Sequence, residues 1–303
     1  MNRVFVLAPG EDWIVDRFVK EWNEDNSDIC VSDPAQADVI WLLSDWTWRR
    51  IPHSLLQQKK VITTIHHIVA EKFDVTAQAD FVARDVVTTA YHVYNQRTFD
   101  FIRQLTDKPI FFIKYWSNHL IWRRTGSKVE LRKKFGLPID SFICGSFQRD
   151  TEGLGISRGI FLPKMEKGPD LLVDFLEKIW ETQRNLHIVL AGWRRQYVME
   201  GLDRAKIPYS YFERPKQEIV NELYQCLDLY PITAREEGGP QALIEAGLLG
   251  VSVVSRPVGI AEQVLPFESI NDDVSLAVSN IPNVESWKIP AGYQPYRDLI
   301  QSL

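Results

Sequence analysis

A chain of 303 residues with a formal net charge of −5 has room for roughly two domains, and its charge argues against a nucleic-acid binder held by phosphate contacts. Apolar residues at 45% and charged residues at 25% are ordinary for a soluble globular protein. Cys30, Cys144 and Cys226 have neither metal spacing nor a disulfide framework, which reads as reduced core thiols and a cytoplasmic location. The first residues run straight into a strand pattern without a signal peptide, and no apolar run is long enough to span a bilayer.

Taken in order, residues 3–8 read as a buried strand. It ends in Pro9-Gly10-Glu11-Asp12, where an amphipathic helix through Trp13, Ile14, Phe18 and Trp22 begins. Further strands are expected at 38–43, 61–65, 86–89 and 110–113, separated by helical patterns at 52–59, 76–83 and 94–104. Strands alternating with helices imply a doubly wound parallel sheet. A stretch with Trp116, Trp122 and a basic cluster (Arg123, Arg124, Lys128, Arg132, Lys133, Lys134) then leads to a second set. This set has strands at 141–146, 187–191, 208–212, 227–231 and 251–255, with helices at 169–182, 197–205 and 216–226. Tyr293 to Leu303 reads as a short last helix. The domain boundaries expected are 1–118, 119–285 and a C-terminal segment 286–303 that packs back on the first domain.

The most informative stretch is Arg235-Glu-Glu-Gly-Gly-Pro-Gln-Ala-Leu-Ile-Glu245, between two strands. Gly238 and Gly239 relieve Cβ constraints, Pro240 suits the first turn of a helix, and Gly250 ends that helix. A strand, a glycine turn and a helix N-terminus make an anion site, because free N–H groups point at the ligand. Glu237 and Glu245 stand eight positions apart beside it. Two carboxylates do little for an anion, but they suit the hydroxyls next to one, such as the ribose and hexose of a nucleotide sugar.

This stretch resembles the signature of retaining glycosyltransferases of the GT-B fold, family 4 type, whose motif is Glu, seven residues, Glu. Three more pieces resemble that family in the same order. They are Lys167-Gly168 at a helix start, Leu186-His-Ile-Val-Leu-Ala-Gly192 as the central strand and glycine, and Ser255 to Val264 as the turn that follows. The resemblance implies two Rossmann-like doubly wound domains facing one cleft, with an acceptor-side N-terminal domain and a nucleotide-sugar-binding C-terminal domain. By the same resemblance, Glu245 takes the ribose hydroxyls, while Glu237, Gly238 and Gly239 meet the donor sugar and diphosphate. Arg149 and Lys167 match the family's diphosphate cations in order and setting. The segment Asp150 to Pro163 is inserted between them, so Lys164 and Arg158 compete for that role; the insert reads as a lid or as a surface loop. Phe212, Glu213 and Arg214 align in outline with the loop that holds the base, near Gly192. Glu262 is given a supporting role.

His66 and His67 directly follow a strand, where relatives often carry a histidine near the donor phosphate or reacting sugar. If alternation continues past Ile65, only one of them points inward. Trp13, Trp116 and Trp46-Thr-Trp-Arg-Arg50 read either as core residues or as platforms for an acceptor sugar or lipid headgroups. No Asp-x-Asp motif sits where it would hold a sugar diphosphate through a divalent ion, so no metal and no cofactor are expected. The partners expected are a UDP- or GDP-sugar donor and a saccharide or lipid-linked acceptor, with no nucleic acid. Peripheral membrane contact and oligomeric state stay open. The function expected is metal-independent, retaining transfer of a sugar to an acceptor hydroxyl. The alternatives are another GT-B enzyme, such as a nucleotide-sugar epimerase or a sugar phosphorylase, and a non-catalytic nucleotide-sugar-binding partner subunit.

Overall fold

The computed structural model describes residues 1–11 and 14–303; Asp12 and Trp13, read above as the start of the first helix, lie outside the described residues. The chain forms two compact units, one combining Met1–Trp116 with Ser286–Leu303 and the other made of Ser117–Glu285.

The first unit holds a parallel five-stranded sheet, β1 (Val4–Val6), β2 (Val39–Leu42), β3 (Lys60–Ile65), β4 (Ala90–Val93) and β5 (Ile110–Phe112), in that order across the sheet. A sequential order would ordinarily place every crossover helix on one face. Here the chain leaves β1 through α1 (Ile14–Asp25) and first makes a parallel bridge of Cys30 with Val4. It then returns to pair β2 with β1. That bridge is a vestigial strand, and it puts α1 on the face opposite the helices that follow.

On the α1 face, Trp22 meets Trp41 edge-on with ring centroids 5.1 Å apart, and Trp41 stacks on Tyr296 of α11 (Gln294–Ser302) at 5.3 Å. On the other face Ile40, Leu42 and Val61 pack with Leu56 of α2 (His53–Leu56). Ile65, Tyr91 and Val93 there pack with Phe81 of α3 (Val75–Asp85) and Ile102 of α4 (Gln96–Arg103).

The fourth strand lies four residues beyond its expected position. Val86 and Val87 close the last turn of α3, with Val87 and Thr88 both donating to Arg84 O, and Val86 is exposed. The strand uses the more polar Ala-Tyr-His-Val instead because its polar groups are satisfied inside. Tyr91 donates to Asp85 at 2.9 Å, and the His92 ring bonds Thr64 Oγ1 and Ile113 O at 3.0 and 3.1 Å. Trp116, read as core or platform, belongs to the core, its indole N–H donating to Glu21 at 2.8 Å.

The second unit has five parallel strands in the order β10-β9-β6-β7-β8. These are β6 (Phe142–Ser146), β7 (Leu186–Gly192), β8 (Tyr209–Glu213), β9 (Leu229–Ile232) and β10 (Ser252–Ser255). The order reverses between β6 and β9, and the crevice at such a reversal is where open α/β sheets bind ligands. α6 (Pro169–Thr182) and α7 (Gln196–Ala205) cover one face with Leu172, Leu176, Val198 and Leu202. α5 (Lys128–Lys134), α8 (Gln217–Gln225), α9 (Gln241–Leu249) and the short α10 (Ala261–Val264) complete the unit.

The basic cluster that leads into the second set of elements is in part a clamp. The Arg132 guanidinium is buried, donating to Cys226 O, Ile139 O and Ser141 O and to the Asp228 carboxylate at 2.6 Å. Lys128 also meets Asp228, and Lys134 meets Glu222. All three cysteines are free, and burial pushes the Cys226 and Cys30 thiols up to about 11.

Candidate functional site

At the β6–β9 reversal, two loops are stitched together. Glu166 O, just before α6, accepts from Arg235 N at 2.8 Å and Glu236 N at 3.1 Å. The Arg235 guanidinium clasps Asp170 in the first turn of α6 through two bonds of 2.7 and 2.6 Å. Those bonds hold the Asp170 carboxyl below its usual range and raise Arg235 further. Gly168 makes the approach possible. Its φ is +59°, and a Cβ there would lie 2.0 Å from Thr233 O.

That stitching brings Lys167 and Glu237, 70 residues apart in sequence, into an ion pair. Both side chains are largely withdrawn from solvent. Gln148 Nε2 donates to Lys167 O at 2.9 Å and ties the end of β6 to the same point. Glu237 is backed by Gly259, whose missing side chain leaves room for Glu237 O and Pro240. Pro240, expected in the first turn of the helix, is instead its N-cap, and α9 starts at Gln241.

Glu245 sits in the middle of α9, buried, and accepts from the Tyr224 hydroxyl at 2.9 Å. Burial first, and then the Glu245 charge, push that phenol well above its usual range. Tyr224 in turn packs with Tyr230 and Phe147, and Tyr230 OH accepts from Phe147 N at 2.9 Å. Glu245 is thus a carboxylate held at one wall by an aromatic cluster rather than a solvated helix residue.

The other candidates separate. Lys164 is engaged with Glu166 at 2.6 Å and lies 4.0 Å from Glu152, so its charge is met by neighbouring carboxylates. Arg149 and Arg158 are exposed and make no ion pair among the described residues. The insert itself is rooted firmly. Thr151 bridges Pro163, and Asp150 N and Thr151 N donate to Arg194 O at 3.2 and 3.0 Å. Asp150 and Arg195 form a fully buried ion pair at 2.5 Å, and the guanidinium also donates to Ala191 O and Ser146 Oγ at 2.9 Å. Removing one partner of such a pair typically costs about 3–5 kcal/mol.

Gly192 ends β7 at φ +107°, with its carbonyl accepting from Tyr211 OH and Arg214 N. Phe212 packs edge-on against Phe135, while Glu213 and Arg214 are exposed. Arg214 (φ 45°) and Arg194 (φ 56°) both occupy the left-handed region, and both guanidinium groups approach Trp193, at 5.1 and 3.9 Å from its ring centre. An indole 41% exposed between two arginines at the ends of β7 and β8 is a feature that sequence reading passed over.

The two histidines lie in the first unit and divide clearly. His66 Nε2 donates to Leu43 O at 2.8 Å, so Nδ1 carries the lone pair and meets Tyr115 OH at 3.3 Å. The ring stacks on Tyr94, and burial pulls its pKa down to about 4. Both nitrogens are committed to the fold. His67 instead lines a cavity. Among the described residues, no group of three or more His, Cys, Asp or Glu side chains is placed to hold a metal ion. No described helix is long and apolar enough to cross a membrane.

Comparison with known proteins agrees with this architecture. Residues 158–277, within the second unit, match the family model described as "Glycosyl transferases group 1". No curated protein sequence matches the chain. Among solved structures, Anabaena Alr3699/HepE in complex with UDP and glucose superposes with a TM-score of 0.76 at 13% identity, over 100% of both chains. The same Anabaena protein in complex with UDP-glucose gives 0.74 at 13% identity, over 99% of each chain. Sucrose-phosphate synthase from Thermosynechococcus elongatus gives 0.62 at 16% identity, covering 98% of this chain and 81% of that one. At these identities the likeness establishes the fold, two parallel-sheet α/β units of the GT-B type.

Proposed function

We propose that the protein is a retaining glycosyltransferase that moves a sugar from a UDP-sugar to an acceptor hydroxyl without a metal. Its second unit holds the donor and its first unit serves the acceptor. The observation that carries this reading is the meeting of Lys167 and Glu237 at the sheet's reversal point, with Glu245 buried eight positions further on. UDP is preferred over GDP because the Anabaena protein of the same fold binds UDP and UDP-glucose.

Without donor, Lys167 and Glu237 neutralise each other. A diphosphate draws the ammonium to itself, together with Arg149, and supplies the charge balance that a divalent ion gives elsewhere. Glu237, released from the lysine, accepts from a hydroxyl of the donor sugar. Glu245, oriented by Tyr224, accepts from the ribose hydroxyls. Leaving-group stabilisation then rests on positive side chains already in place, which need no reorganisation as charge develops. The nucleotide diphosphate leaves from the face the acceptor attacks and takes up the acceptor proton, so the anomeric configuration is kept.

The test is a thermal-shift titration with UDP, GDP, ADP and inorganic phosphate, followed by turnover assays with the sugar of the nucleotide that binds. UDP is expected to raise the melting temperature. Glu237→Gln is expected to keep UDP binding while lowering turnover about 100-fold or more. Unchanged turnover would remove Glu237 from the site. A shift with inorganic phosphate alone would replace the transferase with a phosphorylase. A product of inverted configuration by NMR would refute retention.

A further inference from the structure

Wholly within the first unit lies a cavity of about 250 Å3 at the carboxyl ends of β2 and β3, closed on one side by α3. It is lined by Asp45, His67, Phe73, Ala77, Phe81 and Arg84, among others. Arg84 decides its chemistry. The residue is 4% exposed, and its Nη1 meets Asp45 at 3.1 Å and Asp80 at 2.9 Å. Its Nε is buried without a hydrogen-bond partner. A buried donor left unmatched is rare in a folded protein, and it leaves the guanidinium that lines this cavity with hydrogen-bonding capacity beyond its two carboxylates.

The surroundings restrict what that group is. An anion attracted by Arg84 and by Lys72, which also lines the cavity, faces the carboxylates of Asp45 and Asp80, and a bare cation attracted by those carboxylates faces the two basic groups. A ring of hydroxyls uses both, donating to Asp45 and accepting from Arg84. Phe73, Phe81 and Ile65 give the cavity an apolar wall suited to the C–H face of a pyranose. The volume falls below the roughly 300 Å3 at which pockets for drug-sized ligands begin, so it holds one ring.

The geometry is also fixed in advance. Asp80 is held by Trp48 Nε1 at 3.3 Å and by Arg49, and Asp74 caps the start of α3 through Thr76 N and Ala77 N. Such pre-ordering lowers the entropy lost when a ligand binds.

We propose that this cavity binds a single sugar ring through Asp45 and Arg84, and that the ring is a terminal residue of the acceptor. The second half rests on the transferase reading given above; the first half does not. The experiment is equilibrium titration of the whole chain with methyl glycosides of glucose, galactose, mannose and N-acetylglucosamine, with inorganic phosphate as the anion probe. A parallel UDP thermal-shift titration is run on each variant.

At least one glycoside is expected to bind. Asp45→Asn removes the charged acceptor, and Ala77→Leu fills the space with every polar partner kept. Each is expected to weaken glycoside binding about tenfold or more, the equivalent of one lost hydrogen bond to a charged group, while leaving the UDP response unchanged. Binding of no glycoside, binding of phosphate in their place, or glycoside affinity unaffected by both variants would overturn the pocket assignment. A glycoside lost in both variants supports the pocket even if no nucleotide shifts the melting temperature, and that result sinks the donor reading alone.

Discussion

His92 shows how a residue with catalytic chemistry becomes part of the scaffold. Its ring is fully buried, with Nδ1 on Thr64 and Nε2 on Ile113 O, and burial pulls its pKa from 6.5 to about 3. The folded ring therefore stays neutral while the unfolded one takes a proton as pH falls below 6.5. Between pH 6.5 and 3 the unfolded state binds more protons, so stability is lost on acidification through that window. From pH 7 to 5 this histidine should cost about 2 kcal/mol. Urea unfolding at both pH values is expected to show a smaller acid loss in His92→Gln than in the wild type; equal losses would mean the ring is charged or solvated in the fold. The sequence hid His92 because an isolated histidine in a strand carries no periodic signal of its partners. The Glu237 and Glu245 positions were legible because glycines, a proline and two strands surround them. Lys167 was legible only through a resemblance, as a diphosphate cation, and its pairing with Glu237 was not legible at all, since that 70-residue separation is closed by tertiary structure.

At the scale of elements, Gly168 connects the start of α6 to the end of β9. An alanine there would carry a left-handed φ, which costs about 1–2 kcal/mol, and would press its Cβ into Thr233 O. Gly168→Ala is expected to lower stability in urea by at least that much. It should also weaken the UDP thermal shift, because the loop carrying Lys167 is pushed from the loop carrying Glu237. A variant with wild-type stability and UDP response would show that the two loops do not depend on their close approach. Strand and helix positions were readable from apolar period wherever one face is buried, as in α6, whose observed bounds Pro169–Thr182 are those expected. They failed at Val86-Val87, where an apolar pair closes a helix and the strand begins later with polar residues. The bridge of Cys30 with Val4 was also out of reach, because one residue of pairing leaves no pattern.

At the scale of the molecule, the first unit depends on both ends of the chain. α11 and its N-cap Tyr293 insert Tyr293, Tyr296, Leu299 and Ile300 into the core beside Trp22, Trp41 and Trp116. Ending the chain after Glu285 would strip these aromatic contacts and leave a cavity of several side chains, which should cost well above the roughly 3–5 kcal/mol of a single large-to-small change. Residues 1–285 are expected to lose the cooperative unfolding of the first unit and to show tryptophan emission shifted to the red. Emission matching that of the whole chain would show that the sheet closes without α11. Alternating strands and helices made the two-unit architecture legible, while the aromatic stacking that holds the last helix is a matter of shape that no one-dimensional pattern records.

The pairing of Asn2 with the last helix, through Gln301 and Ile300 O, has a consequence for the order of events during synthesis. Ser117–Glu285 is a continuous stretch, so the ribosome delivers all of it before the residues that complete the first unit. The N-terminal sheet emerges first and closes last. Until residue 300 leaves the exit tunnel, the part of the indole-lined face that α11 covers, beside α1, waits exposed in the nascent chain. Slow translation through the final segment prolongs the interval in which a chaperone, rather than α11, must shield it.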